Sequence, residues 1–134
     1  MNQRGFATLE VILMIVVIGI LATVAVPRFT DVTTKANTAK IQSDLTTIDT
    51  AIQIYYMEKG DYPTELKNLE NYLMDTPKPP TGNAYVKSST SDTTSTKSKI
   101  NDTSYDIDTT NHRAILKMES KDAVAGDFEL PKSS

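Results

Sequence analysis

The chain contains no cysteine. No disulfide staples its fold, and no thiolate serves as nucleophile or zinc ligand. Histidine is almost as scarce: His112 is the single one, between Asn111 and Arg113 in a polar stretch. A His-based metal site or a Ser-His-Asp triad would have to use that residue, which reads instead as an exposed turn histidine. Excess positive charge is missing too, with 14 basic against 17 acidic residues and a formal charge of −3. Nucleic-acid binding needs a basic face to meet phosphates. Lys87, Lys97 and Lys99 are the local exception, and Asp92 and Asp102 dilute them. Only carboxylate chemistry is left to a hydrolase, and no catalytic constellation accompanies it. A length of 134 residues suits one compact domain with a modest core.

What is present begins with Phe6–Val26, 21 residues with one charge, Glu10. At about 1.5 Å per residue such a helix spans roughly 30 Å, the thickness of a bilayer core. Four structures use segments of this kind: a membrane anchor, a cleaved secretory signal, a buried core helix and the core of a filament. A buried helix in so small a protein is rarely apolar on every face, as Val11–Val26 is apart from Gly19 and Thr23. A signal peptide would use Met1–Arg4 as its charged region and Thr23-Val24-Ala25 for cleavage. Its apolar run would be long, and Glu10 sits where a signal has no acid. The residues leave anchor and filament core open.

Glu10 needs a partner. An ionised side chain inside hydrocarbon costs about 2.5–3.5 kcal/mol on insertion scales. Arg4 is the only neighbouring cation, six positions away, whereas helical partners sit three or four apart. A partner from another molecule is the remaining source.

Gly5-Phe6-Ala7-Thr8-Leu9-Glu10, followed by the apolar run, resembles the processing motif of type IV pilins and pseudopilins. Ala7-Thr8-Leu9 departs mildly from the commoner Thr-Leu-Leu/Ile. The resemblance implies that a membrane aspartyl protease, the prepilin peptidase, cuts between Gly5 and Phe6 and methylates the Phe6 amine. It also implies that Glu10 pairs with the Phe6 amine of a neighbouring subunit. That amine stays cationic at neutral pH, and methylation does not remove its charge. The match extends to Gly19 and Pro27, between which assembled pilins can lose helix. Gly19 costs about 1 kcal/mol relative to alanine, and Pro27 removes a backbone hydrogen bond. A simple kink at Pro27 is the alternative, and both stay open.

Beyond Pro27 an amphipathic pattern begins. Ile41, Leu45, Ile48, Ile52 and Tyr55 form one helical stripe, with Asp44, Asp49 and Gln53 off it. Gly60 is the natural stop and Lys59 suits the last turn, predicting a helix from about Phe6 to about Glu58. Thr64 is placed to cap a short helix over 65–73 carrying Leu66, Leu69, Tyr72 and Leu73. Pro77-Lys78-Pro79-Pro80-Thr81-Gly82-Asn83-Ala84-Tyr85 resembles the Pro-Lys-Asp-Pro-Trp-Gly-Asn-Pro-Tyr loop of major pseudopilins, departing at Pro79, Thr81 and Ala84. Over 88–104, 11 of 17 residues are serine or threonine, which predicts a mobile loop without core. Asn101-Asp102-Thr103 within it matches a glycosylation sequon. Tyr105-Asp106-Ile107 and Ala114–Glu119, turning through Thr109–Arg113, predict a hairpin. With Ala84–Lys87 this gives a small antiparallel sheet of about three strands.

Asp106, Asp108, Asp122 and Asp127 raise calcium, which favours several carboxylates with backbone carbonyls. Related pseudopilins bind calcium in their C-terminal loops. Ala123-Val124-Ala125-Gly126-Asp127 is a reduced version of the sequence expected there. No metal or cofactor is therefore assigned; Asp122 and Asp127 are the calcium candidates, and a solvated acidic loop is the default.

The expected fold is α+β, a long N-terminal helix packed on a small antiparallel sheet. Residues 1–5 form a leader, 6–27 a transmembrane or filament-core helix and 28–134 the globular pilin domain. The expected function is structural and not enzymatic: a type IV pilus-like filament subunit, or alternatively a pseudopilin of a type II secretion or DNA-uptake machine. Its expected partners are further copies of itself, the prepilin peptidase, an assembly-platform membrane protein and minor pilins. Nucleic acid is not an expected direct partner. Before assembly it would cross the inner or cytoplasmic membrane once; afterwards it would lie in an extracellular or periplasmic filament. A membrane-anchored binding protein that does not polymerise is the rival from another class.

Overall fold

The computed structural model describes residues 3–89 and 91–132, leaving aside the side chains of 25–28. Helix α1 runs over Gln3–Lys59. The chain divides into two compact units, Met1–Thr33 and Thr34–Ser134.

In the first unit the described residues are all helical, with apolar side chains open on every face. Gly19 lies within the helix, and a Cβ there would meet nothing within 4 Å. Two earlier expectations, the leader residues Met1 and Asn2 and the ring of Pro27, fall outside the described residues.

The second unit is built around the other part of α1. Ile41, Leu45, Ile48 and Ile52 are fully buried, and Tyr55 packs on their cluster. The predicted stripe is the core face because residues three and four apart share one side of a helix. The threonines of the opposite side satisfy themselves locally: Thr46, Thr47 and Thr50 each donate to the carbonyl four residues back. Gly60 ends the helix at φ 78°, its N–H donating to the Tyr56 carbonyl at 2.8 Å. A side chain would be strained in that left-handed conformation.

The short helix expected over 65–73 is a single 3₁₀ turn, Leu66–Leu69, followed by turns. Its start is held by the Glu65 N–H donating to Asn68 Oδ1 at 3.0 Å, not by Thr64. That three-residue closure suits the tighter helix. Leu69 and Leu73 still reach the core.

Among the described residues five strands follow: β1 (Asn83–Lys87), β2 (Ser95–Lys99), β3 (Asp106–Asp108), β4 (Arg113–Lys117) and β5 (Asp122–Ala123). They form two sheets, β1-β2 and β3-β4-β5, all pairs antiparallel. The single sheet of about three strands expected from the sequence is corrected accordingly. The β3-β4 hairpin lies where it was expected, but β1 pairs with β2, from the stretch read as loop. An Ile100–Met118 bridge joins the sheets, flanked by Glu119 N–H to Lys99 O at 3.0 Å. Strand β2 turns only Ser98 inward, opposite Ala84, so its Ser/Thr/Lys composition costs the core little. A second 3₁₀ turn, Ala125–Asp127, precedes the fully buried Phe128. A long helix packed on small antiparallel sheets is the α+β pilin-like fold.

Candidate functional site

The N-terminal segment carries the first set of candidate residues. Gly5, Phe6 and Glu10 all lie on α1. Phe6 is 59% exposed and Leu9 71%. Glu10 heads a helical face made by Leu13, Met14, Val17 and Ile18. Among the described residues it has neither an ion-pair nor a hydrogen-bond partner, and Arg4 does not reach it. Thr8 instead donates its hydroxyl to the Arg4 carbonyl at 2.8 Å. The helix is long and apolar enough to cross a membrane, and none of its apolar window is buried within the molecule.

The proline-rich stretch before β1 is fastened to α1. Asn37 Nδ2 donates to the carbonyls of Thr81 at 3.1 Å and Asn83 at 3.0 Å. Thr38 Oγ1 accepts the Tyr85 N–H at 2.8 Å and donates to the Thr34 carbonyl at 2.7 Å. Lys40 donates to the Lys78 carbonyl at 2.9 Å and pairs with Asp44. Gly82 needs its φ of 108° to bring this stretch into β1. The sequence reading missed Asn37 and Thr38. Their signal was available: two polar residues continue the core face where an extended, proline-rich stretch has carbonyls and an amide to satisfy.

Asp44 also accepts from the Tyr105 hydroxyl at 2.7 Å. Burial, and then that bond to a carboxylate, hold the Tyr105 phenol well above its ordinary range. Asp49 accepts the Ala114 N–H at 2.7 Å and lies 3.5 Å from the Arg113 guanidinium. The two acids off the helical stripe thus tie α1 to the β3-β4 region.

His112 is not the freely exposed turn residue expected. It is partly buried, has φ 54° and stacks on Tyr62 at 3.8 Å, which stacks on Tyr56 at 4.2 Å. Of the three basic residues of the local cluster, Lys97 and Lys99 are exposed and Lys87 is partly buried. Lys87 pairs with Glu129, and Lys97 lies 5.9 Å over the Tyr85 ring.

Of the calcium candidates, Asp108, Asp122 and Asp127 line one cavity, and two of them are already engaged by other groups. Asp108 is engaged by its own turn, accepting from the Thr110 N–H at 2.8 Å and from Asn111 Nδ2 at 2.6 Å. The Asn111 amide, then the Thr110 N–H, hold its carboxyl below the usual range. Asp106 lies 4.0 Å from Lys117, and Asp122 is exposed on β5. Asp127 is buried, with Lys121 Nζ 2.9 Å from Oδ1 and the Val124 N–H donating to Oδ2 at 3.0 Å. Among the described residues no three acidic, histidine or cysteine side chains are grouped to hold a metal. The donor set does not fit calcium, because an ammonium already lies against its one buried carboxylate. Lys121, which the sequence reading passed over, is the residue that decides this.

Comparison with known proteins agrees with this architecture. The model of the family "Type II secretion system (T2SS), protein G" matches residues 28–103, more than half of the chain. Type II secretion system core protein G of Escherichia coli is 35% identical over 86 residues, covering 64% of this chain and 59% of that protein. Its counterpart in Klebsiella michiganensis is 33% identical over 84 residues, covering 63% and 59%. The Type IV narrow pilus major component PilA5 of Thermus thermophilus is 38% identical over 64 residues, covering 48% and 55%. The chain thus spans less than two thirds of these relatives' length. No solved structure matches it. The matched region takes in the buried half of α1, the fastened proline-rich stretch and the β1-β2 hairpin, and on that ground the chain belongs to the type II secretion system protein G family of pseudopilins.

Proposed function

We propose that this chain is a structural, non-catalytic subunit of a pseudopilus, polymerised by a type II secretion machine. The observation that carries the reading is Glu10: a carboxylate without a partner among the described residues, on the N-terminal part of α1, whose apolar side chains are uncovered. A filament of identical helices covers those faces. The Phe6 amine of the next subunit, freed by cleavage after Gly5, supplies the counter-charge. Gly5 and Phe6 are the cleavage pair, Phe6 the methylated residue, and Phe6 with Glu10 the assembly contact. Gly19 and Pro27 give the helix a place to bend or melt within the filament. The subunit crosses the membrane once before assembly and lies in a periplasmic filament afterwards. The prepilin peptidase, an assembly-platform protein and minor pseudopilins are its partners. Cleavage explains how Glu10, costly in hydrocarbon alone, is kept: its partner is created only on maturation.

Mass spectrometry of the chain from a producing cell tests this. The expected mature N-terminus is methylated Phe6. Gly5→Val should leave the precursor whole, because a β-branched side chain replaces hydrogen at the cut. An N-terminus at Val26 would establish a secretory signal instead and refute the reading.

The similarity to a narrow-pilus component favours a second reading, a type IV pilus subunit. Deleting the gene separates them. Lost protein export with surface fibres intact assigns secretion; lost fibres with export intact assigns a pilus.

A further inference from the structure

The C-terminal turn contains a buried charge that the filament reading does not use. Asp127 is 2% exposed, yet a carboxylate removed from water is stable only when its charge and lone pairs are compensated. One oxygen, Oδ2, accepts the Val124 N–H at 3.0 Å. The other, Oδ1, has no aligned hydrogen-bond donor, and its compensation is the Lys121 ammonium at 2.9 Å.

Both partners are set by backbone structure. Lys121 precedes β5, and its carbonyl accepts the Met118 N–H at 2.8 Å, closing the β4-β5 turn. Asp127 ends the 3₁₀ turn, its own N–H donating to the Val124 carbonyl at 2.9 Å. The next residue is Phe128, the largest fully buried side chain of the domain. The Lys121–Asp127 pair therefore closes the loop that seats Phe128.

We propose that Lys121 is a built-in cation that takes the part of a divalent metal here, so that the C-terminal loop closes without calcium. The lysine stem comes from the same turn that a metal would cross-link, and its side chain is 23% exposed, which keeps the cost of desolvating the ammonium moderate. A divalent ion at Asp127 would have to displace the ammonium. Asp108, the neighbouring acid, has its oxygens engaged by Thr110 and Asn111. This inference rests on contacts inside the domain and stands whether or not the chain polymerises.

The test is thermal unfolding of the full-length protein in detergent, followed by tyrosine fluorescence, with excess EDTA or with calcium chloride. The wild-type midpoint should be the same in both. A lower midpoint in EDTA overturns the proposal. Lys121→Met keeps the stem and removes the charge, and should lower the midpoint by about 10 °C. An unchanged midpoint in Lys121→Met also overturns it. The double variant Lys121→Met/Asp127→Asn removes both charges and should regain more than half of that loss, because no lone carboxylate is left buried. A double variant as unstable as Lys121→Met would mean the lysine acts through packing of its stem, and would refute the role of its charge. If Lys121→Met does not fold, the wild-type comparison and the double variant still decide the matter.

Discussion

Tyr105 combines burial of an aromatic ring with a hydroxyl donated to Asp44 across the domain. Tyr105→Phe keeps the ring and removes the hydroxyl, leaving Asp44 with Lys40 as its partner. The loss should be about 1–2 kcal/mol, read from the urea midpoint at an unchanged slope. Because the folded phenol is held above its ordinary value, its stabilisation is complete below about pH 10 and is lost as pH rises further, through the folded value. The carboxylates Asp108 and Glu129 behave oppositely. Asn111 and Thr110 lower the first, and the bond from Lys87 lowers the second. Their stabilisation is present above the ordinary carboxylate range, about pH 4, and is lost as pH falls through the lowered folded values. A thermal midpoint measured against pH should decline at both ends. Asp108→Asn with Glu129→Gln should flatten the acid limb, and an acid limb unchanged by both would contradict these assignments. Asp44 and Asp49 were readable in the sequence as residues off the stripe. Their partners were not, since 61 and 65 positions separate Asp44 from Tyr105 and Asp49 from Ala114.

At the scale of elements, legibility followed periodicity. Helix α1 was plain because its stripe repeats at helical spacing and Gly60 stops it. The β3-β4 hairpin was plain because alternation flanks a turn rich in Thr, Asp and Asn. Strand β2 was not, because Ser-Thr-Lys-Ser-Lys has no apolar alternation: its pairing with β1 is decided by backbone hydrogen bonds and by one small inward residue. Tertiary pairing overrode composition. Amide exchange should therefore show protection at Ser95–Lys99 and little in the connection from β1. Shortening that connection by two residues should cost under about 1 kcal/mol, since closure entropy changes slowly with loop length. Ser98→Lys should cost about 2 kcal/mol or more by forcing a charge against Ala84. Uniform fast exchange across 88–104 would show that β2 does not form.

For the whole molecule, the contrast lies between a domain that buries a hydrophobic core of its own and an N-terminal helical segment whose apolar side chains are exposed. Under the proposed function, Glu10 is the residue on which this contrast bears. Its motif and its want of a cation within helical reach were both legible from the sequence, and among the described residues the structure adds no partner. The most direct measurement compares filaments pulled down from lysed cell envelopes, or imaged in them, for wild type and Glu10→Ala at equal membrane levels. Glu10 bonds to nothing among the described residues, so the domain Thr34–Ser134 should remain folded, and membrane insertion should improve slightly as an opposing charge disappears. Assembly should fail or fall sharply. Each Phe6 amine would enter the apolar core without its counter-charge, and breaking a buried pair costs about 3–5 kcal/mol. Filaments from Glu10→Ala as abundant and regular as those of wild type would contradict the account.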